Sequence, residues 1–365
     1  MFKVPFFLRR PWILLRDAFL DRDQPNLTRL REIQNPEAFL WAILPHAART
    51  FSACIAMLPA RQARAAAVGY LYCRILDTYE DLHPNPEKRE QVLRGFGERL
   101  RNPPFHTAPP VPKDTNYGNR DLAHLLLVDR CHLVDQVLLT LPEEQKNAIR
   151  ELVSNMAEGM AWASQRFREQ KGALVGEDQL LQYCRHVLGN PVLFSIRLMQ
   201  GKPASPEQAM DALKVGELVQ LANVTRDIEK DLDRGVGYHE DLLPILQGER
   251  SGEHSTKTEV IRQTREQILR IALLRGDSYR RMVEGMNLPT WSLARGAAVL
   301  MFLFTDRYWR SCARRTGIPH WEGPKGALPI LLHTLPAVIS ARWCDRILRR
   351  IERSFASVAS TPTRS

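Results

Sequence analysis

The stretch Gln220–Gly235, QLANVTRDIEKDLDRG, decides both the fold class and the chemistry. Apolar Leu218, Val219, Leu221, Ala222, Val224 and Ile228 recur at mixed three- and four-residue spacings, and no Pro or Gly intervenes between Glu217 and Arg234. That pattern predicts a helix with a largely buried wall. Asn223, Asp227 and Asp231 stand four residues apart on it. Four residues advance a helix by about 400° and ~6 Å, so the three side chains form one row on one face. Gln220 and Arg226 flank the row.

A second row lies upstream in Tyr70–Leu82, YLYCRILDTYEDL. Asp77 and Asp81 are again four apart, Glu80 sits beside them, and Arg74 and Tyr70 continue the face towards the N-terminus. Like charges at this spacing cost a helix a few tenths of a kcal/mol per pair, and more when desolvated. Two such rows on apolar helices therefore point to a cation between them, and oxygen-only ligands from carboxylates and an Asn amide suit Mg²⁺. That ion characteristically keeps waters and takes further ligands from substrate phosphates. The expected metal ligands are Asp77, Glu80, Asp81, Asn223, Asp227 and Asp231.

Around these rows the sequence reads as helical throughout. Asn35-Pro36-Glu37 is an N-cap and first turn; Pro45 is expected to interrupt the run before Ala47–Leu58, and a long Ala-rich helix spans Ala60–Leu82. Residues 87–101 form a charged amphipathic helix, and the Pro-rich stretch Asn102–Gly118 a loop. Further helices are predicted at Asn119–Thr140, Glu143–Phe167, Glu177–Met199 (crossing Pro191), Pro206–Arg234, Glu259–Met286 and Thr290–Arg315, with a last basic helix ending near Ser354. No strand run of useful length exists. The fold class is all-α, a single-domain helical bundle over 35–355 with its site between facing helices in a central cavity, preceded by an apolar and basic segment 1–34 and followed by a disordered tail 356–365.

Composition narrows the partners. Lys and Arg outnumber Asp and Glu by 51 to 41, a net charge of +10, which favours an anionic partner. The arginines are scattered and no recognition motif is present, which excludes nucleic acid. Six separated cysteines without CxxC or zinc spacing read as reduced core residues of a cytosolic protein. The N-terminal MFKVPFFLRRPWILLRDAFL is too charged and too short to span a bilayer. It is expected either to lie on a membrane surface or to pack on the body as a first helix. Arg342, Arg346, Arg349, Arg350 and Arg353 make a basic C-terminal helix suited to anionic lipid, so a cytoplasmic protein with peripheral contact at the inner face of a membrane is expected.

With both rows in hand, the chain resembles the squalene/phytoene synthase family of head-to-head isoprenoid synthases, over about residues 46 to 350. DTYED at Asp77–Asp81 is similar to the family's first acidic motif in its squalene synthase form, and Gln220, Asn223, Arg226, Asp227 and Asp231 match the second, N-x-x-R-D-x-x-x-D preceded by Gln. Ala48-Arg49-Thr50-Phe51 resembles the stretch that carries a phosphate-binding Arg and hydroxyl. Tyr70 and Arg74 fall at functional positions of the family, and Tyr183-Cys184 with Val187 and Gly189 resembles a segment bordering the substrate cavity. Lys325-Gly326 and Pro336-Ala337-Val338 look like squalene synthase more than phytoene synthase.

The resemblance implies an isoprenoid diphosphate substrate, Mg²⁺, and condensation of two farnesyl diphosphates to presqualene diphosphate and then, with NADPH, to squalene. Arg49, Thr50, Arg74, Gln220, Asn223 and Arg226 would hold diphosphate. Tyr70, Tyr183 and Arg74 would serve the chemistry, the tyrosines facing the carbocation. Three departures bear on the second, reductive step. Asn190-Pro191-Val192 replaces a Gly-containing continuation, and the aromatic-Cys segment of squalene synthases is absent from Ala294–Val299. The basic residue after the second motif is represented only by Arg234, displaced from its usual place. The alternatives are a phytoene or dehydrosqualene synthase lacking reduction, or a non-catalytic helical protein that binds isoprenoid diphosphates.

Overall fold

The computed structural model describes residues 6–48, 50–101, 103–112, 117–248 and 254–361, with backbone alone at 6–9, 17–19, 50, 86 and 254–256. Among these residues the helices are α1 (Phe6–Phe19), α2 (Leu27–Glu32), α3 (Pro36–Ala48), α4 (Thr50–Met57), α5 (Ala60–Leu82), α6 (Pro86–Arg99), α7 (Asn119–Asp129), α8 (Cys131–Leu139) and α9 (Glu143–Glu169). They continue as α10 (Glu177–Cys184), α11 (Asn190–Gln200), α12 (Pro206–Asp233), α13 (Leu243–Leu246), α14 (His254–Leu273), α15 (Gly276–Gly285), α16 (Leu293–Thr316), α17 (Ala327–Ile339) and α18 (Ala341–Ala359). The fold is all-α, as the sequence predicts; a single parallel bridge between Ala173 and Gly237 is the closest approach to a strand among the described residues.

Several boundaries differ from the sequence reading. Pro45 lies inside α3 instead of ending it. A helical proline cannot bond the carbonyl four residues back, and here that carbonyl, Trp41 O, accepts from Arg16 Nη2 of α1 at 3.2 Å. The run 119–140 breaks at Arg130, whose guanidinium reaches back to the carbonyls of Leu30 at 2.9 Å, Arg31, and Ile33 at 2.5 Å. The run crossing Pro191 divides into α10, a π-helical turn at Arg185–Gly189 and α11. The predicted helix 259–286 breaks between α14 and α15. The C-terminal helix runs on to Ala359, beyond the expected start of the tail at 356, because Phe355 and Val358 are buried in the core.

The helices group into two compact units: Met1–Ala161 with Phe194–Lys202, and Trp162–Leu193 with Pro203–Ser365. In the first, α5 is apolar nearly all round, with Val68, Leu71, Tyr72, Ile75, Leu76 and Tyr79 fully buried, as befits a central helix. Gly69 admits the ring of Phe194, because a Cβ there would stand 2.9 Å from Phe194 Cε1. A buried polar group pins α5 to α6 and α8: Asp135 accepts from Tyr72 OH at 2.8 Å and forms an ion pair with Arg99. α1 lies against α4; Arg10 donates to the carbonyls of Ala56 at 2.9 Å and Leu58 at 2.8 Å, and Ile13 is buried.

In the second unit α12 begins on a capping box, Ser205 with Gln208, and Pro206 in its first turn. Its buried wall continues as Ile228 and Leu232 packed with Leu242 and Ile261. α15, α16 and α18 meet through Tyr279 stacked on Phe302 at 4.2 Å and Phe355 set edge-on to Phe302 at 5.8 Å. All six cysteines are buried thiols outside any disulfide. No helix among the described residues is long and apolar enough to cross a membrane.

Candidate active site

The first row belongs to the first unit. On α5, Arg74 holds Asp77 at 3.1 Å through Nη1 and donates from Nη2 to Tyr70 OH at 3.1 Å, so Tyr70, Arg74 and Asp77 form one hydrogen-bonded string along the helix. Arg74 also lies over the Tyr70 ring, 5.9 Å from its centroid, and Phe51 of α4 packs on the other ring contact at 5.5 Å. Burial pushes the Asp77 carboxyl up to about 6, with Arg74 opposing the rise and Asp81 adding to it. The Asp77 side chain keeps 24% of its surface exposed, so the rise reflects crowding by the surrounding protein and not complete enclosure. Arg74 Nε is buried without a hydrogen-bond acceptor, which leaves one guanidinium donor for an incoming oxygen. One turn on, Glu80 is half-buried and Asp81 exposed. Arg49 lies outside the described residues; Thr50 opens α4.

The second row belongs to the second unit. Along α12, Leu221, Ala222, Val224, Thr225 and Ile228 are buried while Asn223, Arg226, Asp227 and Asp231 are half-buried, so the predicted row emerges on the accessible edge of an otherwise enclosed helix. Asn223 Nδ2 donates to Gln220 Oε1 at 3.1 Å. Arg226 grips its neighbour Asp227 with both arms, Nε to Oδ1 at 2.9 Å and Nη2 to Oδ2 at 2.5 Å. Burial pulls the Arg226 pKa down and Asp227 more than restores it, leaving it above the ordinary value. On the far side of α12, Arg265 ties Glu229 at 2.6 Å and Thr225 O at 2.8 Å, fixing the helix rotation.

Tyr183 is buried at the end of α10. It pairs with Tyr238, ring centroids 4.8 Å apart and hydroxyls 3.1 Å apart, and Phe167 meets Tyr238 edge-on at 5.5 Å. The π turn that follows Tyr183 is anchored by Glu217 of α12, only 1% exposed, which accepts from Arg185 at 2.6 Å and pairs with Arg275. Gly216 beside it is obligatory: a Cβ would fall 2.4 Å from the backbone of Gly189. Sequence reasoning missed Tyr238 and Tyr308, the latter lying under Arg226 at 5.3 Å. Tyr238 sits in a Gly-flanked turn without helical periodicity, and Tyr308 reads as an ordinary aromatic of α16.

Both rows offer oxygen donors only, and each already draws in a cation of its own, Arg74 at Asp77 and Arg226 at Asp227. The donor chemistry therefore fits a hard divalent ion with phosphate oxygens completing its shell. Among the described residues no three His, Cys, Asp or Glu side chains converge on one point.

The profile of the squalene/phytoene synthase family matches residues 44–314, which takes in both rows, Tyr183 and Tyr238. The chain belongs to the squalene/phytoene synthase family. It is 27% identical over 199 residues to squalene synthase 1 of Arabidopsis thaliana, covering 53% of this chain and 45% of that protein. The chain thus spans just under half the length of that curated relative. Among solved structures, a ligand complex of TcSQS superposes with a TM-score of 0.67 at 16% identity, over 88% of this chain and 91% of that one. A dehydrosqualene synthase in complex with ligand gives 0.52 at 17% identity, over 90% and 99%. At these identities the two structures speak for the fold, and the fold is that of the squalene/phytoene synthases.

Proposed function

We propose that this squalene/phytoene synthase family member is a prenyl transferase that joins two farnesyl diphosphates head to head, through a cyclopropyl diphosphate, to squalene with NADPH as the hydride donor. The observation that carries the reading is the pairing of each carboxylate row with an arginine of its own helix, Arg74 with Asp77 and Arg226 with Asp227. Asp77, Glu80, Asp81, Asn223, Asp227 and Asp231 would hold Mg²⁺. When bound, that ion supplies the positive charge that makes diphosphate a good leaving group.

The chain's own residues divide the remaining work. Arg74 and Arg226 are planar forks matched to phosphate oxygens, and Arg74 Nε already lacks an acceptor. With Asp77 and Asp227 engaged in holding that ion, Arg74 and Arg226 would be free to turn onto the diphosphate. Arg49, Thr50 and Gln220 are proposed as further diphosphate contacts. Tyr70, held by Arg74, and Tyr183, held by Tyr238, are proposed to turn ring faces to the allylic cation and exclude water from it. A tyrosine hydroxyl or the released diphosphate accepts the proton lost when the cyclopropane closes.

One observation favours a second reading, release of the product before reduction, as in a dehydrosqualene synthase. The Ala294–Val299 stretch of α16 carries no aromatic ring, and Arg295 there commits its guanidinium to backbone carbonyls, among them Ala337 at 2.7 Å and Pro289 at 2.9 Å. Incubation of the purified protein with Mg²⁺ and farnesyl or geranylgeranyl diphosphate, with and without NADPH, and mass spectrometry of the products, tests both. Squalene only with NADPH supports the reductive reading. Cyclopropyl diphosphate or dehydrosqualene with NADPH in excess replaces it with the second, and no head-to-head product from either substrate overturns both.

A further inference from the structure

Helix α17 buries one face and leaves the other bare. Ile330, Thr334, Ala337 and Val338 are buried, whereas Leu328, Leu332, Leu335 and Ile339 are 65%, 55%, 50% and 50% exposed. These four recur at steps of four, three and four residues, which places them in one row about 16 Å long on a single helix face. Trp291, 73% exposed, stands at the Ile339 end of the row, since the next residue, Ser292, donates its N–H to Val338 O at 2.9 Å. Single exposed leucines need no explanation; a continuous row ending on an exposed tryptophan does.

The charges beside the row identify what covers it. From Ala327 to Ala341 there is no carboxylate. The next helix, α18, has two, and both are taken: Asp345 by Arg349 at 2.8 Å and Glu352 by Arg280 at 2.7 Å. Arg342, Arg346 and Arg353 are exposed and have no carboxylate partner among the described residues. Trp343 ties α18 to α17 through Nε1 and His333 O at 3.3 Å, and Arg346 lies over its ring at 5.6 Å. An apolar row, tryptophans at its margin and unpaired arginines next to it match the layering of an anionic bilayer surface, with acyl chains, interface and headgroups in order. Four aliphatic side chains on one helix fall short of the ~20–30 residues a side that a stable protein interface buries. With thirteen residues, α17 is too short to span a bilayer, and Pro336 lies within it, so it would rest in the interface plane.

We infer that α17 and the start of α18 form an interfacial docking face for anionic membrane, with Leu328, Leu332, Leu335, Ile339 and Trp291 entering the lipid and Arg342 and Arg346 meeting its headgroups. This inference is independent of the reaction proposed above. Vesicle co-sedimentation of the full chain tests it, using phosphatidylcholine alone or with about one-third phosphatidylglycerol, beside sedimentation velocity without lipid. Wild type binds the anionic vesicles at least ~10-fold more strongly than the neutral ones. Leu332→Asp/Leu335→Asp loses at least ~10-fold of that binding, because two side chains are withdrawn from lipid and two charges are added. Arg342→Gln/Arg346→Gln loses the preference for anionic lipid and keeps the weak binding to neutral vesicles. The sites are exposed, so circular dichroism and thermal unfolding of the variants match wild type. Absence of wild-type binding, or binding unchanged by the Leu332/Leu335 pair, overturns the inference. So does a wild-type dimer that the same pair converts to monomer, which would assign the face to a second copy of the chain.

Discussion

Removing the Asp135 carboxylate is expected to cost this protein a large part of its stability while sparing the chemistry of the rows. Asp135 is 7% exposed and accepts from four donor atoms on three neighbours: both Nη atoms of Arg99, the Tyr72 hydroxyl at 2.8 Å and the Cys131 thiol at 3.7 Å. Asp135→Ala leaves the Arg99 guanidinium buried with a single carbonyl acceptor, that of His106. Breaking one side of a buried ion pair costs about 3–5 kcal/mol, and the orphaned Tyr72 hydroxyl adds about 1 kcal/mol more. Because the two losses share one cavity they will not add fully, and the expected fall in unfolding free energy is about 4 kcal/mol. Against a typical total of about 5–15 kcal/mol that is a quarter or more. Urea unfolding followed by circular dichroism measures it. The double variant Arg99→Met/Asp135→Leu, which removes both charges and fills the space, should recover to within about 2 kcal/mol of wild type. Tyr72→Phe alone should cost about 1 kcal/mol. A loss below about 1 kcal/mol in Asp135→Ala, or a double variant no better than the single, would refute the view that this buried pair anchors α5.

Other expectations follow from the same kind of contact. Asp77→Asn or Asp227→Asn should abolish turnover of farnesyl diphosphate with Mg²⁺ while leaving the circular dichroism spectrum unchanged; near-wild-type activity in saturating Mg²⁺ would sink the metal assignment. Gly216→Ala should cost far more than Gly69→Ala. The new Cβ meets Gly189 backbone at 2.4 Å in the first case and the end of the Phe194 ring at 2.9 Å in the second. Overpacking a side chain that can give costs about 1–3 kcal/mol, whereas backbone cannot move aside without distorting the π turn; equal losses would count against that reading. His186, packed on Trp162 at 5.7 Å and beside Arg185, is held below the ordinary histidine value chiefly by burial. Its folded form resists protonation, so its contribution to stability is present above about pH 6.5 and is lost as pH falls below that value. His186→Asn should flatten this slope, and an NMR titration midpoint at or above the free-histidine value would contradict it.

What was legible in the sequence was what depends on local spacing. The two rows were readable because four-residue steps along an unbroken apolar helix fix a face, and the structure keeps Asn223, Asp227 and Asp231 on the accessible edge of α12. Helix α5 was read to its ends, Ala60 and Leu82, because Pro59 and the His83-Pro84 sequence bound it. What was not legible depends on distant partners. Nothing local says that Trp41 O will find Arg16, so Pro45 reads as a break. Arg130 looks like any helical arginine until its guanidinium is seen collecting carbonyls about a hundred residues upstream. The π turn after Tyr183 follows from Glu217 and from the contact of Gly216 with Gly189, both on α12's side of the contact and far along the chain. Tyr238 lay hidden between Gly237 and a short turn, marked by tertiary contacts with Tyr183 and Phe167 that no local pattern shows.

The measurement that bears most directly on the proposed reaction is mass spectrometry of the products formed from farnesyl diphosphate by wild type and Asp227→Asn, each with Mg²⁺ and with the metal removed by EDTA. A head-to-head product, as cyclopropyl diphosphate or the hydrocarbon derived from it, is expected from wild type with Mg²⁺ and from none of the other three samples. Condensation at an undiminished rate in EDTA or in Asp227→Asn, or the absence of any head-to-head product from metal-loaded wild type, would contradict it.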